Sequence, residues 1–362
     1  MGNTLGRIFT LTSFGESHGS SMGIVVDGCP AGLPLNEADV QQEVERRRPG
    51  AAGTTERWEP DKVEIISGVY DGHTTGAPIC LLSWNKDIDS GVYKKNRFAL
   101  RPGHADYTAF VKYGGFNDFR GGGRFSGRIT LAYVMAGAIA RKLISRLDID
   151  VFAHTVQIGE VKAQAQELAD TKEKAAKNPL WCADLEAAEK MTRLIEKAKQ
   201  DKDSLGGIIE GVALNVPVGL GEPVFANFDG ELSRALFAIP AVKGVEVGAG
   251  FAVAGMKGSE NNDLYDIENG RIVTRTNNAG GVLGGISTGM PVIVRVAVKP
   301  TASIARSQET VDIKKMAKTN LEVTGRHDTC IVPRAVPAVE AMMAVTICDF
   351  VLQAGLMPKV LS

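Results

Sequence analysis

A layered α+β fold, not a doubly wound Rossmann sheet, is what this sequence predicts, on three observations. Short apolar runs rich in β-branched residues lie between Gly and Pro, as strands do. Helical patterns are fewer and do not alternate with the strands one for one, as βαβ units would require. One segment also repeats: Gly68-Val-Tyr-Asp-Gly-His-Thr-Thr-Gly-Ala-Pro-Ile79 aligns without gaps on Gly281-Val-Leu-Gly-Gly-Ile-Ser-Thr-Gly-Met-Pro-Val292. Upstream, Pro30-Ala-Gly-Leu33 echoes Pro217-Val-Gly-Leu220. The chain therefore reads as one domain of two similar halves, roughly 1–150 and 205–362, with a helical insert near 161–203. Thr-Gly-x-Pro before a strand is also ordinary turn chemistry. The duplication stands only if the two Thr-Gly-x-Pro strands occupy equivalent places.

Taken in order, Gly23–Asp27, Val63–Ser67, Ala77–Leu82, Ile208–Leu214 and Pro291–Val298 are the predicted strands. Asn36 can cap a helix through Val44 that stops near Arg48, because Pro49-Gly50 follows. Leu131, Val134, Met135, Ala138, Ile139, Leu143 and Leu147 share one helical face and predict a helix over Leu131–Leu147. Asp184–Asp201 is a charged amphipathic helix, and Val336–Leu352 a mostly buried one.

Of the 362 residues 44% are hydrophobic, enough for a large core. The 41 basic and 42 acidic residues nearly cancel, so no global charge points to nucleic acid or an anionic membrane. Cys29, Cys80, Cys182, Cys330 and Cys348 are widely spaced and form no C-x-x-C, which suits thiols in a reducing compartment and no metal site. Met1–Leu11 is too polar for a signal peptide, and no run approaches the ~20 apolar residues of a membrane span. A cytoplasmic protein is the expectation.

Three separated clusters carry candidate chemistry. Gly15-Glu-Ser-His-Gly19 places a histidine between small residues at a strand entrance, where it can approach a ligand and exchange a proton. Its spacing is not the G-x-S-x-G of a hydrolase, which disfavours serine nucleophile chemistry. Arg101-Pro-Gly-His104 is followed by Arg120-Gly-Gly-Gly-Arg124-Phe-Ser-Gly-Arg128. Guanidinium forks, free backbone N–H groups and the following helix N-terminus suit phosphate and carboxylate. Arg46-Arg47-Arg48 adds cations, although an Arg triplet also suits a solvated helix end. Gly325-Arg-His-Asp328 and Lys299-Pro-Thr-Ala-Ser303 supply a second polar rim, although Asp before a helix is also a plain cap. The glycine-rich run lacks the repeats and interleaved aromatics of an RNA binder. Neither a G-x-G-x-x-G opening a helix nor a Walker A sequence is present.

Together these clusters resemble the hallmark motifs of the chorismate synthase family. The segments are Gly15-Glu-Ser-His-Gly19 through Asp27-Gly28, Gly123-Arg-Phe-Ser-Gly-Arg128 with Thr130, and Arg326-His-Asp-Thr-Cys330 leading to Glu340-Ala-Met342. Arg46-Arg-Arg-Pro-Gly50, Arg101-Pro-Gly-His-Ala-Asp106, Val242-Lys-Gly-Val-Glu246 and Thr276-Asn-Asn-Ala-Gly-Gly281 match between them, so the likeness runs from Gly2 to about Gln353. The resemblance implies a β-α-β sandwich with an internal pseudo-twofold and a homotetramer. It implies a lyase: anti-1,4-elimination of phosphate from 5-enolpyruvylshikimate 3-phosphate to chorismate, with reduced FMN required and no net redox change. This is the last common step of the shikimate pathway to the aromatic amino acids.

Roles carry over by matching position. His18 resembles the histidine near the leaving phosphate, His104 the one beside the flavin ring, and Asp328 the carboxylate near flavin N5, with Ser17 as a relay partner. Arg47, Arg101, Arg128 and Arg326 resemble substrate-anion arginines, which suits a substrate with one phosphate and two carboxylates. Arg124, Phe125, Ser126, Gly127, Pro240, Ala241, Gly284, Lys299, Pro300, Thr301, Ala302, Ser303 and Arg326 correspond to the flavin pocket. Three positions depart from the family pattern. The run after Gly50 is Ala51-Ala-Gly53, one residue short and without a further arginine, for which Arg57 is a candidate substitute. Ser-Ser-Ala-Arg-Glu-Thr is replaced by Phe125-Ser-Gly-Arg-Ile-Thr130. Pro240 replaces an asparagine and removes one donor. No nicotinamide motif is present, so NADPH enters only as an indirect reductant through an external flavin reductase. A flavin reductase on the same scaffold is the alternative, and NADPH oxidation in the presence of FMN separates the two.

Overall fold

Two five-stranded antiparallel sheets enclose a layer of helices in the computed structural model, which describes residues 2–48, 60–86, 89–323 and 328–361. The first sheet holds β1 (Thr4–Leu5), β2 (Thr10–Gly15), β3 (Ser21–Asp27), β4 (Glu64–Ser67) and β5 (Ile79–Trp84), in the order β1-β2-β3-β5-β4. The second holds β6 (Asp150–Ile158), β7 (Val161–Lys162), β8 (Gly207–Leu214), β9 (Val242–Val247) and β10 (Val292–Val298), in the order β9-β10-β8-β6-β7. Without the edge strands β1 and β7, both sheets have one topology: β2-β3-β5-β4 matches β6-β8-β10-β9. Strands β5 and β10, which follow the two Thr-Gly-x-Pro turns, occupy the same place.

The helices repeat as well. In each half one helix joins the second and third strands, α1 (Glu37–Arg46) and α3 (Phe228–Phe237), and one follows the fourth, α2 (Thr130–Ile144) and α4 (Val332–Gln353). The correspondence reaches single hydrogen bonds. Thr74 Oγ1 donates to Pro30 O at 2.6 Å and accepts from Leu33 N at 2.9 Å. Ser287 Oγ donates to Pro217 O at 2.5 Å and accepts from Leu220 N at 2.8 Å. The observed fold is thus α+β with an internal repeat, as the sequence predicts.

Burial explains the layering. Val292, Val294, Val296 and Val298 alternate along β10 and point one apolar face inward, the two-residue period of a strand. Helices α2 and α4 pack along each other between the sheets, and nearly all of α4 is buried. Gly137 is needed at that crossing, because a Cβ there would overlap Ala341. Among the described residues α4 is the one helix long and apolar enough to cross a membrane, and it is this core element.

Several boundaries differ from expectation for local reasons. Helix α2 ends at Ile144 rather than Leu147, where a 3-10 turn takes over and Asp148 adopts φ 57°. Helix α4 begins before Val336, because Pro333 stands in the first turn, where no N–H is required. Asp184 is the cap of the helix Leu185–Gln200, accepting from Ala187 N at 3.0 Å. Strands β2, β6 and β9 were not among the predicted strands.

Candidate active site

The turn from β2 to β3 presents Ser17 and His18, which are buried at its base. Asn85, one residue past β5, fixes this turn by donating to Glu16 O at 3.2 Å and Gly19 O at 2.9 Å. His18 Nδ1 lies 2.9 Å from Ser90 Oγ, and its ring meets Tyr93 edge-on with centroids 5.2 Å apart. These contacts fix the ring plane before any ligand arrives.

Opposite the turn runs the glycine loop that leads into α2. Gly121, Gly122 and Gly123 all have positive φ, at 58°, 84° and 53°, which is costly for any residue with a Cβ. Space demands glycine too. A Cβ on Gly121 would collide with the His18 ring, and one on Gly122 would stand 3.1 Å from His104 Nε2. Consecutive glycines thus separate the two histidines by a strip of bare backbone.

His104 is held from behind. Its Nδ1 lies 2.7 Å from Asp106 Oδ1, and Asp106 is gripped by Arg101 through Nε at 2.8 Å and Nη2 at 2.7 Å. Burial pushes the Asp106 carboxyl up, but the bonds from Arg101 and His104 override it and hold it well below the usual carboxylate range. Burial pulls the His104 imidazole down, and the charges of Arg101 and Lys299 pull the same way, against Asp106. His104 is therefore neutral near pH 7. Arg101 also reaches Ser303 Oγ at 3.4 Å and so joins the histidine to the strap Lys299–Ser303. That strap is pinned by Lys299 N to Ala241 O at 2.9 Å, Ser204 Oγ to Thr301 O at 2.8 Å and Thr301 Oγ1 to Asp328 O at 2.9 Å.

A third group lies where α1 ends against the start of α2. Arg47 donates to Thr130 Oγ1 at 2.8 Å and faces Asp61 at 3.6 Å, and Arg128 meets the same carboxylate at 2.8 Å and Asn85 Oδ1 at 2.8 Å. Arg334 closes the group, with Asp328 at 2.6 Å and Arg47 O at 3.3 Å. Burial, then the Arg334 charge, pull the Arg47 guanidinium down to about 9, with Asp61 opposing and Arg128 adding to the pull. An arginine does not give up its proton at neutral pH. The depression instead reflects burial first and the Arg334 and Arg128 charges after it, partly offset by Asp61 and Asp328, and an incoming anion would favour the charged form.

A sequence model described as chorismate synthase matches residues 9–352. A chorismate synthase of Dehalococcoides mccartyi is 55% identical over 100% of both chains. One of Methanocella arvoryzae is 53% identical over 99% of this chain and 96% of its own, and one of Korarchaeum cryptofilum 51% over 97% and 98%. The chain belongs to the chorismate synthase family. Its activity is that of a chorismate synthase, a lyase. A crystal structure of chorismate synthase superposes with a TM-score of 0.75 at 31% identity, covering 96% of this chain and 93% of that one.

Within this family fold, Ser17, His18, His104 and Ser126 lie against the glycine loop, and the strap Lys299, Pro300, Thr301, Ala302 and Ser303 joins the His104 segment through Arg101 and Gly103. Arg47, Arg128 and Asp328 form the adjoining cationic group. Pro240 immediately precedes Ala241, the strap's anchor. Arg124 points elsewhere: it donates to Gly15 O at 3.0 Å and Ser13 Oγ at 2.6 Å, along β2. Phe125 lies half-exposed beside Tyr113, with ring centroids 6.4 Å apart, and Gly127 has open space around it. Gly284 sits in a hairpin next to Gly285, whose carbonyl accepts from Phe228 N at 2.8 Å. That is the N-terminal end of α3, whereas Ala241 lies past its C-terminal end, about 15 Å along the axis. Arg326, the Ala51–Gly53 run and Arg57 lie outside the described residues.

Four residues escaped the sequence reading: Asn85, Asp61, Asp106 and Arg334. Asp106 had a signal, a carboxylate two residues after a candidate histidine. Asn85 and Asp61 had none, because their partners are distant in sequence.

Proposed function

We propose that this chain carries out the anti-1,4-elimination of phosphate from 5-enolpyruvylshikimate 3-phosphate to chorismate, with reduced FMN. The crowding of Arg47 by Arg334 and Arg128 in a buried setting carries this reading, because a substrate with a phosphate and two carboxylates supplies the anions that such a site favours. His18, fixed by Ser90 and Tyr93, is the group that would give a proton to the leaving phosphate. Ser17 stands beside it against the same glycine.

A flavin fits the other side of the glycine strip. Gly121–Gly123 bring bare backbone against His18 and His104, and Lys299, pulled down by burial and by Lys243, is a second place where an anion such as the FMN phosphate relieves repulsion. The strap, Ala241, Ser126, Gly127 and Phe125 would hold the group, and Arg326 belongs to the same proposal. When bound, reduced FMN lends electron density to the breaking C–O bond and takes the C6 hydrogen. His104, neutral and held from behind, offers Nε2 toward it, and Asp328, held by Arg334, is the second proton-handling group.

The reading extends to a cytoplasmic homotetramer that receives reduced FMN from an external reductase, with NADPH as indirect donor. It also takes the chain as one domain of two halves, with the helical insert near 161–203 belonging to the second. The test is anaerobic. Protein, photoreduced FMN and 5-enolpyruvylshikimate 3-phosphate should release chorismate and phosphate in equal amounts, and oxidised FMN should give neither. Folded, flavin-bound protein that gives no product would overturn the reading.

A further inference from the structure

We propose that Asp106 is a positioning residue that keeps the His104 proton on Nδ1, so that Nε2 faces the Gly122 side of the glycine strip as a lone-pair acceptor. The short contact between the carboxylate and the ring carries the proposal. Asp106 Oδ2 accepts from Arg101 N at 3.0 Å and Arg101 Nε at 2.8 Å, and Oδ1 accepts from Arg101 Nη2 at 2.7 Å. A carboxylate so bonded is ionised and has no proton to donate. The 2.7 Å contact from Oδ1 to His104 Nδ1 therefore favours the hydrogen on Nδ1, because two facing lone pairs at that distance would repel. Arg101 Nη2 is also 3.0 Å from Nδ1. The Arg101 N–H is itself directed at Nδ1, so guanidinium and carboxylate compete for that nitrogen, and the shorter 2.7 Å contact to the carboxylate decides the tautomer.

Removing the carboxylate inverts the ring. Arg101 Nη2 still faces Nδ1 and is always a donor, so Nδ1 becomes the acceptor and the proton moves to Nε2. The edge near Gly122 then presents a donor where it presented a lone pair. The charged groups that bear on His104 are Arg101 and Asp106 from its own segment and Lys299 from the strap, while the glycine loop contributes uncharged Gly122 and Ser126. Loss of Asp106 leaves cations alone, so protonation of His104 becomes harder.

The link to turnover rests on the function proposed above; the tautomer does not, and the experiment separates them. The chain has five histidines, so ¹⁵N-histidine protein gives a small set of ring signals, with His104 assigned by difference from His104→Gln. Solid-state ¹⁵N spectra of the resting protein should show His104 protonated on Nδ1 in the native chain and in Asp106→Glu, and on Nε2 in Asp106→Ala. Asp106→Ala should also lower kcat by about 10²-fold, the scale of one acid–base contribution, and shift the acid limb of the pH profile to lower pH. Asp106→Glu should restore part of both. Native protein with the proton on Nε2 would overturn the proposal whether or not any variant folds. So would Asp106→Ala that keeps Nδ1–H or turns over within twofold of native. The predicted tautomers in a protein that makes no chorismate would instead sink the functional reading and leave the positioning role intact.

Discussion

The two halves share a backbone topology and differ in what their loops carry. In the first half, β2 passes to β3 through the short Glu16–Gly19 turn, which places Ser17 and His18 against the glycine loop. In the second half, the equivalent connection from β6 to β8 holds the edge strand β7 and the helices Leu168–Ala175 and Leu185–Gln200, and offers no such turn. The second half has its own buried histidine, His154, but it lies within β6 and meets Glu210 on β8 at 3.2 Å. The same frame thus occurs twice. The proposed chemistry is placed once, where a short turn, a glycine loop and a histidine-bearing segment converge. The second half contributes the strap and the Asp328–Arg334 pair at the edge of that site.

The sharpest way to break this contrast is to remove one histidine from each half. His104→Ala should keep the fold and lower turnover by about 10²-fold or more. His154→Gln should leave turnover near native and show its effect in the thermal midpoint alone. If His154→Gln abolished activity while the fold held, the assignment of chemistry to the first half would fail.

The helix seam should respond next. Gly137→Ala places a methyl group onto Ala341 where α2 crosses α4, and should destabilise by about 2 kcal/mol through overpacking. Denaturant unfolding checks it, and an unchanged midpoint would mean the helices can separate freely there.

The repeated pins offer a quantitative comparison. Thr74→Ala and Ser287→Ala each orphan a carbonyl and an N–H in equivalent settings, and each should cost about 1–2 kcal/mol. A large cost at one site and none at the other would show that the repeat is geometric without being energetic.

The smallest effect concerns pH. Burial holds His104 below its ordinary value of 6.5, so the neutral ring persists to lower pH than in a free histidine. Activity should stay level down through pH 6.5 and fall only below it, as the ring takes up a proton. A limb above 6.5 that disappears in His104→Ala would contradict the burial argument.

Much of the frame was legible because it rests on local chemistry. Asn36 caps α1, the charged amphipathic stretch Asp184–Asp201 marks the insert helix, and the Thr-Gly-x-Pro turns mark β5 and β10. Strand β6 was not, because Asp150, His154 and Thr155 interrupt its apolar pattern, and their partners Lys172, Glu210 and the Leu180 carbonyl are found only in three dimensions. The site divides the same way. His18, His104 and the glycines carry motifs, whereas Asp61 and Asn85 matter through distant partners. Arg124 shows the reverse case, a motif arginine whose guanidinium serves the β2 backbone.

The most direct test of the central claim is a crystal structure of the protein with FMN and 5-enolpyruvylshikimate 3-phosphate bound. The account predicts the flavin ring beside His104 and the strap, and the phosphorylated substrate between His18 and the Arg47–Arg128 group, along the Gly121–Gly123 strip. Ligand density in the second half's equivalent region, or in the apolar cavity behind Arg101 lined by Tyr93, Leu100, Phe110 and Phe119, with the glycine strip empty, would contradict it.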